Sequence, residues 1–469
     1  MPKPAFKPYQ QRQLMLLPPD ISELVPEDSV ARAVDAVVEA LDRGRLESLY
    51  PGGGAPAHDP AMMLKVVLYA YASGVYSSRK IARATRENVC FMWLTGMTPL
   101  DHMTVNRFRS ERIRPAFEAI FTELVALLAE KGMLDLSTYF LDGTKVEANA
   151  NRYTFVWRKA VEGNRAKLQA KVRAHLEEVD RPCEAEESLA ALLPEENAEV
   201  TSGDVARVAG AINARLEGSP KSRPLKRAKR LVERDFLPRL EGYESRVAEI
   251  GGGRGSLSKT DPDATFMRMK EDHMGNGQLK AGYNVQVGTQ NQVVVHATLH
   301  QRPGDTACAV PHLESLRAQF GGLPATLVAD AGYGSEGNYE WLRAEGVEAF
   351  VKYGNYHREQ RPKFKRDPTK PKNWSYDEAS DAYTCGFGRR LAFVCERGER
   401  SDLGHVGRTR HYRCEDCSGC PHRKACIRDD DGRKRRTAYI NPAADAHRRR
   451  AEALLNSERG EELKKRRST

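Results

Sequence analysis

Apolar residues recur at helical spacing through the first third of the chain. Asp59 followed by Pro60 is a strong helix start, because an acid can cap the first turn and proline fits its first position. The spacing predicts a further helix that begins near Thr104 and a long amphipathic helix that begins at Pro115. Short helices separated by tight turns are typical of helix-turn-helix modules. The pattern therefore predicts an N-terminal all-α, helix-turn-helix-like domain over residues 1–132.

The predicted helix near Thr104 has an apolar side and a polar side. Val105 and Phe108 can face a core, while the polar residues around them point outward. Such side chains suit contacts with the phosphates and base edges of DNA, although a solvated basic face is an equally good interpretation. The candidate DNA-binding residues are Asn106, Arg107, Arg109 and Arg112.

A charged segment rich in Ala, Leu, Arg and Glu runs from about Phe155 to Ile250 and carries almost no strand pattern. It predicts two or three long helices, one of them broken at Pro238, followed by a glycine-rich linker. We interpret residues 155–256 as a helical insertion, because a sheet tolerates a long insertion in one of its connections. The basic face of this insertion is interpreted as solvated charge in preference to a DNA contact.

Short apolar runs predict strands on both sides of this insertion. A run at Ser137–Leu141 comes before it, while a hairpin around Val285 and strands that begin near Thr326 and Val347 come after it. Helical patterns separate the hairpin from the fourth strand and the fourth strand from the fifth. We therefore expect an α/β protein with a ribonuclease H-like mixed sheet of three antiparallel strands and then two parallel strands. In that sheet the first and fourth strands are neighbours.

An acid ends each of these two strands. Asp142 precedes Gly143, and Asp330 precedes a turn that contains Gly332 and Gly334. Neighbouring strands lie about 4.7–4.9 Å apart, so the two carboxylates can share a divalent cation or a pair of cations. The alternative is that each Asp only accepts hydrogen bonds from the backbone of its own turn.

Composition adds a preference for a polyanionic partner. The 469 residues include 74 Lys and Arg against 64 Asp and Glu, a formal net charge of +10, and the length suits two to four domains. Each basic cluster can also be a solvated helix face. The sequence shows neither an apolar run of the roughly 18 residues that span a membrane nor a secretory signal, so we expect a cytoplasmic protein.

Four of the nine cysteines form a C-x2-C-x2-C-x5-C pattern near the end of the chain. Thiolates at this spacing can converge on one tetrahedral Zn2+, which predicts a structural zinc site. Free reduced thiols and an iron–sulfur cluster are the alternatives, and His422 can replace one cysteine. Cys385 and Cys395 are interpreted as packed side chains. The candidate zinc ligands are Cys414, Cys417, Cys420 and Cys426.

The order of several motifs resembles that of one family. The motifs begin with HDPAMMLKVVLYAY and DHMTVNRFR, continue with FLDGTKVEANANRY, TDPDA, GYNVQV and VADAGYGSEGNYEWL, and end with the cysteine cluster. They span most of the chain, from Asp59 to Cys426. In these motifs the chain resembles the DDE-type transposases of bacterial insertion sequences, in the subgroup that carries a cysteine-rich insertion.

The resemblance implies that Asp142 and Asp330 are catalytic and bind Mg2+ or Mn2+. It implies two-metal strand cleavage and transfer on double-stranded DNA, with the terminal inverted repeats of the element and a target as partners. It also implies a homodimer on DNA and a location at the nucleoid. Asp261 and Asp263 match a recurring motif of the family and are interpreted as loop or strand-entry residues.

The family carries a third acid, a Glu, shortly after a basic segment that resembles Arg459–Thr469. That Glu is missing from this sequence, so we expect a truncated C-terminal helix and DNA binding with little or no strand transfer. A catalytically inactive DNA-binding regulator and a ribonuclease H-like nuclease are the alternatives. The expected domains are a DNA-binding domain (1–132), a core (133–154 and 257–354), a helical insertion (155–256), a cysteine-rich insertion (355–440) and the start of the C-terminal core helix (441–469).

Overall fold

The structure is a computed structural model, and it describes residues 20–50, 56–180, 188–195, 198–269, 277–401, 404–427 and 433–468. The chain divides into two compact units, Met1–Leu136 and Ser137–Thr469. We call them the N-terminal unit and the C-terminal unit. No helix among the described residues is both long enough and apolar enough to cross a membrane.

The N-terminal unit is built from helices around one apolar core. Asp59 accepts a hydrogen bond from Met62 N at 3.0 Å and so caps the helix that begins at Pro60, as the sequence predicts. Met63, Val66 and Ile81 are fully buried in the core. The described α-helices of this unit are α1 (Val30–Glu39), α2 (Arg43–Glu47), α3 (Pro60–Ala72), α4 (Ser78–Glu87), α5 (Val89–Leu94), α6 (His102–Arg107) and α7 (Phe117–Glu130).

The helix predicted to begin near Thr104 begins two residues earlier and changes its form. Asp101 caps α6, and the chain continues from α6 as a π-helical turn over Phe108–Arg112. Pro115 lies in a 3-10 turn before α7, so the long amphipathic helix begins at Phe117. Proline has no N–H to donate, so a regular α-helix does not continue through this point. The π-helical turn before Pro115 and the 3-10 turn around it connect α6 to α7 instead.

The C-terminal unit combines a mixed sheet with a helical insertion and a second, antiparallel sheet. Its described α-helices are α8 (Arg158–Asp180), α9 (Ser202–Gly218), α10 (Arg223–Leu231), α11 (Leu237–Ile250), α12 (Ala309–Phe320), α13 (Glu336–Ala344), α14 (Tyr356–Glu359), α15 (Pro362–Lys365), α16 (Arg423–Cys426), α17 (Pro442–Leu455) and α18 (Glu458–Ser468). Its described strands are β1 (Thr138–Glu147), β2 (Phe155–Trp157), β3 (Ser256–Ser258), β4 (Thr265–Arg268), β5 (Leu279–Gln290), β6 (Val293–His300), β7 (Thr326–Gly334), β8 (Glu348–Tyr353), β9 (Ser375–Asp377), β10 (Ala382–Thr384), β11 (Arg390–Arg400), β12 (Val406–Cys414) and β13 (Thr437–Ile440).

The mixed sheet has the order β4-β5-β1-β7-β8, and β6 also pairs with β5. Strand β1 is antiparallel to β5 and parallel to β7, and β7 is parallel to β8. The register places Leu141 opposite Ala329, so Asp142 and Asp330 are the next residues of two adjacent strands. Strand β4 was not among the predicted sheet strands. It pairs with the N-terminal part of β5, whereas β6 pairs with the C-terminal part, and it lies next to the loop that holds Asp261.

The helical insertion has its own core of buried residues, including Leu168, Val172, Val208 and Val232. The predicted break at Pro238 is wrong. The chain is helical from the start of α10 to the end of α11, because a π-helical turn over Val232–Phe236 lies just before this proline. Leu237 N bonds Val232 O across the wider turn, which accommodates the proline ring without ending the helix.

The second sheet has the order β13-β12-β11-β10-β9, and all its neighbouring strands are antiparallel. Leu391, Tyr412, Cys414 and Trp374 are buried in its core. This sheet therefore occupies the region of the predicted cysteine-rich insertion and packs around apolar side chains.

Candidate functional site

Asp142 and Asp330 lie on adjacent strands at one edge of the mixed sheet, as the sequence predicts. Asp142 Oδ1 accepts a hydrogen bond from Gly143 N at 3.0 Å, and Asp330 Oδ1 accepts one from Gly332 N at 2.8 Å. Each carboxylate therefore stabilises its own turn. The two side chains nevertheless remain 62% and 41% exposed, so both can also contact a ligand from solvent.

Arg467 contacts both carboxylates. Its Nη2 lies 3.5 Å from Asp142 Oδ1 and 4.0 Å from Asp330 Oδ2. A single guanidinium nitrogen within 4.0 Å of both acids shows that one positive group can interact with the two side chains at once. The pair is therefore close enough to act as one anionic site.

Helix α18 carries Arg467 to this position by running along the sheet. Arg459, near the start of α18, donates to Thr326 Oγ1 at 2.8 Å at the beginning of β7. Leu463, one turn later, is buried against Val328 and Phe350. From Arg459 to Arg467 the helix extends about 12 Å, and from Thr326 to Asp330 the strand extends about 13 Å. The two elements therefore reach the acids together.

A third carboxylate, Asp305, lies beside the same two turns, and sequence reasoning missed it. A Cβ added to Gly143 would lie 2.5 Å from Asp305 Oδ1, and a Cβ added to Gly332 would lie 3.2 Å from Asp305 Oδ2. Asp305 comes from the loop between β6 and α12. An acid shortly before a helix is usually a cap. No residue pattern around Asp305 indicates that it lies close to the ends of β1 and β7.

Buried amides hold Asp305 in place. Asn284 Nδ2 donates to Asp305 Oδ1 at 2.8 Å, and Gln286 Nε2 donates to the same oxygen at 3.1 Å. Both amides lie on β5 with no exposed surface, and the hydroxyl of Tyr333 donates to Gln286 Oε1. Thr306 Oγ1 also donates to Gly332 O at 2.6 Å. This network fixes the Asp305 loop to the turn that follows Asp330.

The electrostatics of Tyr333 show that these carboxylates act on one region. Burial raises the pKa of Tyr333 above its ordinary value, and the nearby charges of Asp305, Asp330 and Asp142 raise it further. The phenol is therefore held protonated and can act as a donor. A bound cation would reduce the repulsion among these carboxylates, and carboxylate oxygens are the ligands that Mg2+ prefers.

The space around Asp142 is open. A cleft of about 720 Å³ is lined by Asp142, Thr144, Val287 and Arg467, and a smaller one of about 260 Å³ by Asp142, Lys352 and Arg467. Within the described residues, no three His, Cys, Asp or Glu side chains are already arranged as a metal site. The described acids therefore fit a divalent cation by their chemistry, without forming a closed set of ligands.

The four candidate DNA-binding residues fall into two pairs. Asn106 and Arg107 are exposed. Arg109 Nη1 donates to Tyr71 Oη at 2.9 Å and to Tyr76 O at 2.7 Å. Arg112 likewise donates to Leu49 O at 3.1 Å and lies over the ring of Tyr50. The last two arginines thus connect the π-helical turn to the rest of the N-terminal unit, while the first two face solvent.

The described cysteines give no support to the predicted zinc site. Cys414 and Cys417 are buried in the core of the second sheet, and Cys420 and Cys426 are half-buried. Burial and then a hydrogen bond with Cys417 raise the pKa of Cys414 to about 12. No metal-holding group is formed among the described residues. His422 instead stacks on Phe387.

Comparison with known protein families gives two matches. Residues 19–111 match a family described as Transposase domain (DUF772), and residues 255–442 match a family described as Transposase DDE domain. The first lies in the N-terminal unit; the second includes Asp330 and Asp305. Searches among curated proteins and solved structures found no match. Since both matched families are transposase domains and occur in the order that the motifs indicated, the matches support a DDE-type insertion-sequence transposase.

Proposed function

We propose that this transposase binds the ends of its insertion sequence, that Asp142 and Asp330 would hold the Mg2+ or Mn2+ for DNA strand cleavage, and that this chain of 469 residues carries out little or no strand transfer. The observation that carries the proposal is the parallel register of β1 and β7, which makes the two acids neighbours. The strand order supports a ribonuclease H-like core, with β4 as an addition at its far edge.

The proposed chemistry divides between the ions and the chain. Bound divalent ions activate the attacking oxygen and stabilise the leaving oxygen of the phosphodiester. Asp142 and Asp330 would hold the ions, and Tyr333 and the amides of Asn284 and Gln286 keep the neighbouring carboxylate of Asp305 in place. Asp305 adds a third negative charge beside the two turns without requiring direct coordination of an ion.

Arg467 neutralises the two acids when no cation is bound between them. Its contacts are long, at 3.5 and 4.0 Å, and both carboxylates remain exposed to solvent. Surface ion pairs of this kind contribute about 0–1 kcal/mol, so a divalent cation can displace the guanidinium. The same group is then available to a DNA phosphate.

In the N-terminal unit, Asn106 and Arg107 are the proposed DNA contacts. Their exposure supports direct contact, and Arg109 and Arg112 support them by fixing the turn that follows α6. Replacing Arg107 should weaken binding to end DNA, while replacing Arg109 should also lower the thermal stability of the unit.

Nicking of a supercoiled plasmid that carries the DNA flanking the gene tests this function. The expected result is at most weak nicking that requires Mg2+ or Mn2+ and is lost in Asp142→Asn and Asp330→Asn. Asp263→Asn is the matched control, because Asp263 is an exposed acid of the same unit that accepts a hydrogen bond from Gln301. Nicking that persists in both site variants would refute the proposal.

A further inference from the structure

The helical insertion carries a row of cations along α10 and the π-helical turn after it. The row members are separated by 3, 1, 3 and 4 residues, which places them on one side of a helix with 3.6 residues per turn. Leu225, Ala228 and Val232 occupy the opposite, buried side. We call the row the basic stripe; it consists of the exposed residues Arg223, Lys226, Arg227, Arg230 and Arg234.

The basic stripe lacks charge compensation. Among the described residues, no carboxylate forms an ion pair with any of its five members, whereas Lys229, which lies off the stripe, is 3.9 Å from Glu233. Several arginines of the neighbouring helices are compensated. Examples are the pairs Arg165–Glu199, Arg207–Asp204, Arg215–Asp180 and Arg239–Asp235, at 2.5, 2.5, 3.5 and 3.2 Å.

Like charges three or four residues apart on a helix destabilise it by about 0.2–0.5 kcal/mol per pair. The stripe contains such neighbours along its whole length, for example Arg223 with Arg227 and Arg230 with Arg234. A binding partner with regularly spaced negative charge would remove this repulsion. The uneven compensation within one helical insertion thus points to a polyanion at this face.

We infer that the basic stripe binds the phosphate backbone of double-stranded DNA, as a contact separate from the N-terminal unit. The inference rests on the proposed function, which supplies DNA as the partner. From Arg223 to Arg234 the helix extends about 16 Å. Phosphates follow one strand at about 3.4 Å along the duplex axis, so this length covers about five of them, one for each cation.

The side chains around the stripe favour a duplex over other partners. No large apolar side chain of α8, α9, α10 or α11 is exposed, so neither a membrane nor an apolar protein surface is matched. Single-stranded nucleic acid is bound largely by stacking on aromatic rings. The aromatic residues nearest the stripe in sequence, Phe236 and Tyr243, are buried and half-buried.

The test compares two triple variants of the full chain. Arg223→Gln, Arg227→Gln and Arg230→Gln together neutralise the stripe, and Lys159→Gln, Lys167→Gln and Lys171→Gln remove the same charge from exposed positions of α8. Binding to a random-sequence duplex is measured by fluorescence anisotropy over a range of salt concentrations. The stripe variant should reduce the slope of log affinity against log salt by about 2.7, since each phosphate contact contributes about 0.9. The α8 variant should leave the slope nearly unchanged.

A third variant, with lysine at the same three stripe positions, should retain the slope of the original chain. Equal slopes for the glutamine variant and the original chain would overturn the inference, as would a larger loss on single-stranded RNA than on duplex DNA. Failure of the original chain to bind any duplex would instead refute the proposed function. Circular dichroism checks that all variants keep their helices.

Discussion

At the scale of single residues, the candidate site brings three carboxylates and one arginine together. Asp142 and Asp330 are neighbours through strand register, while Asp305 is brought to them by a loop and held by Asn284 and Gln286. The two aspartates could be predicted because strands have a fixed geometry. Asp305 could not, because the position of a loop depends on tertiary contacts that local sequence does not encode.

Asp305→Asn should weaken Mn2+ binding by about tenfold, equal to about 1.4 kcal/mol. The reason is that one negative charge beside Gly143 and Gly332 is removed, while an amide oxygen can still accept from Asn284. Electron paramagnetic resonance of free Mn2+ measures the affinity. Asp263→Asn is the control; equal affinity of the two variants would show that Asp305 has no electrostatic role.

Arg467→Gln should have the opposite effect and raise Mn2+ affinity several-fold, because a cation no longer competes with the guanidinium for Asp142 and Asp330. Arg466→Gln is the matched control, since Arg466 instead donates to Asn291 and lies over Phe140. Titration with Mn2+, followed by electron paramagnetic resonance, measures the affinity of both variants. Weaker Mn2+ binding in Arg467→Gln would mean that this arginine supports the metal site.

His312 should make the stability of the C-terminal unit sensitive to acid. It is fully buried, with Tyr139 Oη 2.7 Å from Nε2 and Thr298 Oγ1 2.7 Å from Nδ1, a set that suits a neutral ring. Burial and then the charges of His296 and His300 lower the pKa of His312 to about 3. The unfolded chain, with its ordinary pKa near 6.5, therefore binds a proton that the folded chain excludes.

The free energy of unfolding should consequently fall as the pH drops from about 6.5 toward 3, by up to about 1.4 kcal/mol per pH unit from this group. His312→Gln should be less stable at pH 7 but lose less stability over that interval. Urea unfolding at several pH values measures this, with exposed His357→Gln as the control. A pH dependence identical to that of the original chain would exclude His312 as its source.

At the scale of elements, the pairing of β1 with β5 requires a close approach at Gly288. A Cβ at this position would overlap the hydroxyl of the buried Tyr139. Tyr139 in turn bonds His312 on α12, so this contact connects the strand that carries Asp142 to the helix behind the sheet. The glycine is needed for space.

Gly288→Ala should therefore destabilise the C-terminal unit by about 3 kcal/mol, as overpacking of a filled core does. Gly210→Ala in α9 is the control: nothing lies within 4 Å of its Cβ position, and a helical glycine replaced by alanine should stabilise by about 0.5–1 kcal/mol. Differential scanning calorimetry of both variants tests this. A Tm for Gly288→Ala at or above that of the original chain would contradict the close contact.

Sequence patterns predicted the strands of the mixed sheet better than the details of its helices. Alternation in GYNVQV correctly indicated the strand of the hairpin, although the structure buries the polar Asn284 and Gln286 beneath the site. The break predicted at Pro238 did not occur, because a π-helical turn can absorb a proline and leaves no residue pattern to recognise.

At the scale of the whole molecule, the two family matches and the proposed DNA contacts lie in separate parts of the chain. The transposase families match residues 19–111 and 255–442, and helices α8 to α11 of the helical insertion lie outside both matches. Order of motifs along the sequence was sufficient to identify the family. Charge compensation became visible only in the structure, because the spacing of cations alone does not show which of them have partners.

The shared metal site of Asp142 and Asp330 is the central claim, and Mn2+ binding to the full chain tests it most directly. Electron paramagnetic resonance titrations would compare the original chain with Asp142→Asn, Asp330→Asn and the control Asp263→Asn. The account predicts that the first two variants each lose at least tenfold in affinity while the control does not change. Mn2+ binding of equal strength in all four proteins would contradict it.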